Sequence, residues 1–212
     1  MGVICVKEKK DSLPYTKLDI KILCFLAKQL GSALGNALLY EKATTDSLTQ
    51  LYSRGYFFQS LQERILLSQK KDKPLSLLML DIDCFKKIND LYTHLKGDSI
   101  LKQTGEFLKN LLEEEELAGR YGGEEFVMLI PGTHERAMEK AKKIQKAMLQ
   151  HPFWIDSVSL TVTLSIGVST LKKEDVCQSL VERADKALYL AKKKGKNQVV
   201  SEQEIVLELT LF

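Results

Sequence analysis

Residues 75–82 read Leu-Ser-Leu-Leu-Met-Leu-Asp-Ile, a run whose apolar residues are continuous rather than alternating. Such a run, entered from the charged break at residues 69–74, reads as a buried central strand. Downstream the period changes. Residues 98–112 place Ile100, Leu101, Thr104, Phe107, Leu108 and Leu111 on one helical face. Two short strands, 117–121 and 126–130, are separated by Gly122-Gly123-Glu124-Glu125, a hairpin signal. Thr133 is placed to cap a helix to about residue 150, residues 159–170 alternate as a strand, 176–194 are helical, and 198–201 form a last short strand. The order is β-α-β-β-α-β followed by an extra α-β. The expected fold is therefore α+β with a ferredoxin-like core, its antiparallel sheet covered by helices on one side.

Upstream, residues 56–69 fit a helix. Before it lies a longer one: from Thr16, a plausible N-cap, Leu18, Ile22, Leu26, Leu30, Ala33, Ala37 and Tyr40 recur at steps of three and four. This helix would run about 28 residues, roughly 40 Å. An apolar seam sustained over about four heptads predicts coiled-coil pairing with a second chain. Residues 2–6 look strand-like, and residues 203–212 alternate too weakly to place. The organisation read from the sequence is thus 1–15, a remnant strand; 16–45, a signalling helix; 46–202, the main domain; and 203–212, a tail.

Composition narrows the function classes. The 212 residues carry 31 Lys+Arg against 28 Asp+Glu, with 44% hydrophobic and 28% charged residues. That balance fits a globular chain and excludes a disordered charged tail. A net charge of +3 offers no broad footprint for DNA or RNA. The most apolar long segment, residues 20–39, is interrupted by Lys21, Lys28, Gln29 and Asn36, so no membrane span is expected. Cys5, Cys24, Cys84 and Cys177 form no CxxC pair, and His94, His134 and His151 have no metal-ligand spacing. A cytoplasmic protein with reduced thiols is expected.

Chemistry points to the end of the central strand. Asp81 and Asp83, two apart, share a face there. The first and third strands of a β-α-β-β unit can be neighbours, which would bring Glu124 beside Asp81, with Glu125 adjacent. Carboxylates converging at a sheet end make a hard oxygen site suited to Mg²⁺ (or Mn²⁺), the usual partner of nucleotide phosphoryl transfer. Gly122 and Gly123 suit a tight turn and let a ligand approach the backbone.

Arg120-Tyr-Gly-Gly-Glu-Glu-Phe126 resembles the signature of GGDEF domains, the diguanylate cyclases, in its GGEEF form. Five further blocks carry the same resemblance in order: Asp46-Ser-Leu-Thr-Gln-Leu-Tyr-Ser-Arg54, Asp81-Ile-Asp-Cys-Phe-Lys-Lys-Ile-Asn-Asp90, His94 with Gly97-Asp98, Leu164-Ser-Ile-Gly-Val-Ser169, and residues 184–197 with Lys192 and Lys196. The resemblance implies a cyclase/polymerase palm-like fold and condensation of two GTP into cyclic di-GMP between two facing domains of a homodimer. It implies Asp81, the Ile82 carbonyl, Glu124 and Glu125 as metal ligands, with Glu124 also the proton acceptor of the ribose 3′-hydroxyl. Lys86 would stabilise charge developing on the phosphates. Asn89, His94, Asp98 and Phe85 would bind the nucleotide, the first three around guanine, and Lys192 and Lys196 would meet the triphosphate. A carboxylate accepting from guanine N1–H and N2–H₂ discriminates against adenine.

The sequence also departs from the family pattern. Cys84 stands where a bulky residue is frequent, Thr93 replaces the Gly before His94, Ser53 an Asn, and Gly55 an Arg. Thr93 puts a Cβ into a tight loop. Glu113 and Glu116 stand where an RxxD product-inhibition motif would have Arg and Asp, so that site is expected to be lost, within a solvated acidic loop. Residues 2–6 with the long helix resemble the last strand and exit helix of a GAF sensor, so the chain is expected to begin inside one. The alternative reading is a catalytically silent module binding GTP or cyclic di-GMP. It predicts lost metal ligands, and none is lost.

Overall fold

The computed structural model of the chain describes residue 7 and residues 14–209. The expected strand at residues 2–6 and the end of the tail lie outside the described residues. The chain divides into two compact units between Ala43 and Thr44.

The first unit is carried by helix α1, Lys17–Thr44, 28 residues long as the periodicity implied. Its start is fixed by a reciprocal cap. The Asp19 N–H donates to Thr16 Oγ1 at 3.2 Å, and the Thr16 N–H donates to Asp19 Oδ2 at 2.7 Å. Along this helix Leu18, Ile22, Leu26, Leu30 and Leu34 are all exposed.

The second unit is built on a five-stranded sheet in the order β2-β3-β1-β6-β7. Its elements are α2 (Arg54–Lys71), β1 (Leu75–Ile82), α3 (Phe85–Tyr92), α4 (His94–Asn110), β2 (Leu117–Gly122), β3 (Glu125–Pro131), α5 (His134–Gln150), β4 (Phe153–Ile155), β5 (Val158–Leu160), β6 (Leu164–Thr170), α6 (Cys177–Lys193), β7 (Val199–Ser201) and α7 (Glu202–Leu209). Strand β1 is central, antiparallel to β3 and β6, and β7 joins β6 in parallel. The β-α-β-β-α-β order with its added α-β unit stands.

Helix cover differs from the sequence reading, because it lies on both faces. Leu78, Leu80 and Ile82 pack with Ile100, Leu101 and Leu108 of α4 and Ala141 and Ile144 of α5. Leu75, Leu77 and Met79 pack on the other side with Phe57 and Leu61 of α2 and Leu180, Ala184 and Leu188 of α6. The reason is in β1 itself. All eight of its residues are buried, so one-sided cover would leave a row of leucines in water, each costing about 1.5–3 kcal/mol of lost burial.

Three further elements differ. The segment after β1 holds two helices, not one: α3 turns into α4 through Thr93 alone, and α4 begins at His94 rather than near Asp98. The expected strand 159–170 divides, because β4 and β5 form a separate two-stranded hairpin before β6. The unplaced tail forms α7, whose Ile205 packs on Ala187, Leu190, Ala191 and Val200. Glu202 at its start is buried, accepting from the Thr170 N–H at 2.9 Å and pairing with Arg183.

Candidate active site

Two chain reversals meet at one end of the sheet. One is the β2–β3 turn, whose tip is Gly123-Glu124. Gly123 has φ +54°, a left-handed conformation that a side chain would strain. Gly122 is extended, and a Cβ there would meet nothing within 4 Å, so nothing inside the molecule requires its being Gly. Its bare backbone leaves room for a group from outside.

The tip is braced by Arg120, which donates to the Gly123 carbonyl from Nε at 3.1 Å and Nη2 at 2.9 Å. The same guanidinium pairs with Asp46 at 3.3 Å, while the Thr49 N–H and hydroxyl each donate to Asp46 at 2.8 Å. Those hydrogen bonds and Arg120, outweighing burial, hold the Asp46 carboxyl below its ordinary range. Arg54 lies 4.4 Å over the Tyr121 ring. Asp46 and Arg120 stand inside the quoted motifs, but their pairing across the chain had no sequence signal.

The other reversal is the end of β1. Register places Asp81 opposite Glu125 on β3 and Ser165 on β6, and the Ile82 N–H donates to the Glu124 carbonyl at 3.3 Å. The expected adjacency of β1 and the hairpin is therefore present. Asp81 is 5% exposed, and burial pushes its pKa up to about 6, against the opposing pull of Lys192 and with further upward pressure from Glu124 and Glu125. Burial likewise raises Glu125. Lys192 Nζ, from the end of α6, sits 2.7 Å from Asp81 Oδ2.

Among the described residues no three acidic, His or Cys side chains converge within metal-binding reach. The expected convergence of three or four carboxylates thus reduces to Asp81 with Glu124 and Glu125 close enough to act through charge. Asp83 does not join them. It is buried beyond the strand end, where both its oxygens are engaged by Thr163, Ser165 and Asn197. The remaining set still fits a hard divalent cation. Asp81 is a desolvated carboxylate in a partly acidic surround, and the cation already beside it is an ammonium group.

Around this centre the other expected residues fall on α3, α4 and the α6–β7 turn. Lys86, His94, Asp98 and Lys196 are exposed. Phe85, in the first turn of α3, is buried in the core, so its ring does not face a ligand as expected. Asn89 faces Gly97 so closely that a Cβ there would lie 1.9 Å from Asn89 Oδ1. Asp98, which alone would read as an N-cap, lies within α4, so its carboxylate has no capping role. Lys196 Nζ donates to Cys84 Sγ at 3.2 Å.

Thr93 holds φ +82° and ψ +159°, backbone that is essentially restricted to Gly. The chain has kept the conformation and lost the residue that favours it. The acidic loop is solvated at residues 113–115 but not at Glu116, which is buried; Lys140 Nζ donates to the Glu116 carboxylate, to the half-exposed Glu113 carboxylate and to the Leu111 carbonyl, each at 2.8 Å. Arg136 adds a contact to Glu113 at 3.5 Å. Acidic residues at this position are tied inward by two cations.

Comparison with known proteins gives a consistent result. Residues 43–198 match the family described as "Diguanylate cyclase, GGDEF domain". Diguanylate cyclase A of Treponema denticola is 38% identical over 205 residues, covering 94% of this chain and 55% of that protein. A diguanylate cyclase of Vibrio cholerae is 36% identical over 162 residues, covering 76% of this chain and 50% of its own length. The chain thus spans about half the length of these curated relatives. The solved coiled coil and GGDEF domain of DgcB from Caulobacter crescentus, in complex with c-di-GMP, superposes with a TM-score of 0.82 at 26% identity, covering 88% of this chain and all of that one.

Proposed function

Because the chain belongs to the GGDEF family of diguanylate cyclases, we propose that it condenses two GTP into cyclic di-GMP with release of two pyrophosphates. In this reading Asp81, the Ile82 carbonyl, Glu124 and Glu125 hold Mg²⁺ or Mn²⁺. The cation supplies charge neutralisation at the phosphates.

The chain's own residues do the rest. Asn89, His94 and Asp98 take the guanine; Asp98 is suited to this by being exposed and free of capping duty. Phe85 contributes its main chain. Lys86, Lys192 and Lys196 face the phosphates. Glu124, on the tip braced by Arg120, accepts the proton of the 3′-hydroxyl. That oxygen then bonds to the α-phosphorus of the second GTP, and the bond to pyrophosphate breaks. The step occurs twice, once at each domain of a facing pair. The two domains bring their substrates together, so proximity and orientation are the main contribution of the homodimer, for which the exposed seam of α1 is the pairing device. A GAF-like sensor ahead of α1 and a cytoplasmic setting belong to the same proposal.

The observation that carries this reading is Lys192 Nζ at 2.7 Å from a buried Asp81, beside the Gly123-Glu124 tip. It brings a phosphate-binding cation and a metal-type carboxylate to one point. The test is incubation of the chain with GTP and Mg²⁺, followed by chromatography of the nucleotides. Cyclic di-GMP and pyrophosphate at a molar ratio of one to two are expected, with no product from Glu124→Gln at equal folded content. GTP binding without product would favour the silent-module alternative.

A further inference from the structure

Asp83 is the buried carboxylate that the proposed chemistry leaves unused. It is 8% exposed, just past the end of β1, and it receives three donors. Thr163 Oγ1 donates to Oδ2 at 2.7 Å, Ser165 Oγ to Oδ1 at 2.6 Å, and the Asn197 N–H to Oδ2 at 2.9 Å. The first two come from β6 and the segment before it. The third comes from the turn between α6 and β7.

That turn is unusual in its backbone. Gly195, Lys196 and Asn197 have φ of +113°, +67° and +47°, three left-handed residues in succession, two of them not Gly. Such residues persist where surrounding contacts over-determine them. Here the Lys196 N–H donates to the Ala191 carbonyl at 3.1 Å, and Gln145 Nε2 donates to the Asn197 carbonyl at 2.9 Å. Asp83 is the charged member of this set, and it is the member that ties the turn to β1. A hydrogen bond to a charged acceptor is about twice as strong as one between neutral groups. The outcome is visible at the adjacent residue of each chain segment: Lys196 Nζ lies 3.2 Å from Cys84 Sγ, at the start of α3.

We propose that Asp83 is a positioning residue for triphosphate recognition, its buried carboxylate fixing the left-handed turn at residues 195–197 and thereby holding the Lys196 ammonium at the catalytic end of β1. The inference rests on the reading that Lys196 meets the triphosphate. It gives the paired aspartates of residues 81 and 83 different duties. Asp81 faces the ligand, and Asp83 faces inward and aims a cation.

The test compares Asp83→Ala, Lys196→Ala, the double variant and Asp83→Asn. The probe is 3′-deoxy-GTP, which lacks the attacking hydroxyl, with GMP as the control that lacks the outer phosphates. Each single alanine variant is expected to weaken 3′-deoxy-GTP binding about tenfold. The double variant should bind no more than about twofold less tightly than Lys196→Ala, because Asp83 acts through Lys196. GMP affinity should not move, and Asp83→Asn, which keeps an oxygen for the Asn197 N–H, should recover most of the loss. If Lys196→Ala binds as tightly as the parent, the phosphate reading of Lys196 falls, and this proposal with it. If Lys196→Ala is weakened but Asp83→Ala is not, or if the two losses multiply in full, the positioning role alone is overturned. Should Asp83→Ala not fold, Asp83→Ser, whose shorter side chain withdraws the acceptor from the Asn197 N–H, takes its place in the comparison, with Asp83→Asn still the variant that recovers binding.

Discussion

Replacing Thr93 by Gly should stabilise this protein, although Gly ordinarily weakens a fold. Thr93 joins α3 to α4 at φ +82° and ψ +159°, where a β-branched side chain meets its own backbone. The conformation is held by its neighbours. The Thr93 N–H donates to the Asn89 carbonyl at 2.9 Å, and its carbonyl accepts from the Lys96 and Gly97 N–H groups at 3.2 and 3.1 Å. Its side chain is exposed and makes no capping hydrogen bond, so its removal forfeits little. Strain of this kind costs about 1–3 kcal/mol. Gly returns conformational freedom to the unfolded chain, which costs roughly 0.4–1 kcal/mol. The net gain is about 1 kcal/mol, or roughly 2–4 °C in Tm for a unit of this size. Thermal unfolding followed by circular dichroism measures it, with Thr93→Ala as control. Ala keeps the Cβ and should gain almost nothing. A Thr93→Gly protein no more stable than the parent, or an equal gain from Ala, would refute the assignment of strain to that Cβ.

Other consequences can be checked independently. Between about pH 4 and 6 folded Asp81, raised from 3.8 to about 6, keeps a proton that the unfolded chain releases, so metal-free stability should fall as pH rises through that window. Asp81→Asn should flatten that slope in denaturant titrations, and an unchanged slope would remove Asp81 as its source. Asp98→Ser should reduce the preference for GTP over ATP by roughly ten- to hundredfold in competition binding, with little loss of triphosphate affinity itself; an unchanged preference places guanine elsewhere. Leu30→Glu, in the exposed seam of α1, should halve the mass seen by light scattering and lower specific activity on dilution. A parent protein that is monomeric with a flat activity profile would refute pairing. Calorimetric titration with cyclic di-GMP should show no tight site outside the active site, because Glu113 and Glu116 repel phosphate and are already held by Lys140. Noncompetitive inhibition by bound product would contradict this.

The sequence by itself determined the β-α-β-β-α-β order of the core, the length of α1 and the two reversals that meet at the site. These are local properties. A period of 3.6 or 2 in apolar residues decides which face of an element is buried, and Thr16, Thr133 and Gly123 mark ends and turns through their own hydrogen bonds or backbone freedom. The motifs of Asp81, Glu124 and Lys192 were legible for the same reason, as contiguous blocks. Tertiary structure decided what each charged group does, because a carboxylate's role depends on which donors reach it from distant parts of the chain. Asp81 and Asp83 are near-identical in sequence context, yet Lys192 reaches one while Thr163, Ser165 and Asn197 close around the other. Glu116 read as a solvated charge in an acidic run and is buried, because Lys140 on α5 lies over it. The two-sided helix cover was implicit in β1, since a strand apolar at every position needs burial on both faces; which helices supply it is set by how α2 and α6 return to the sheet. Periodicity reports a residue's own preference, and only the packed chain brings together the partners that decide its charge, its strain and its use.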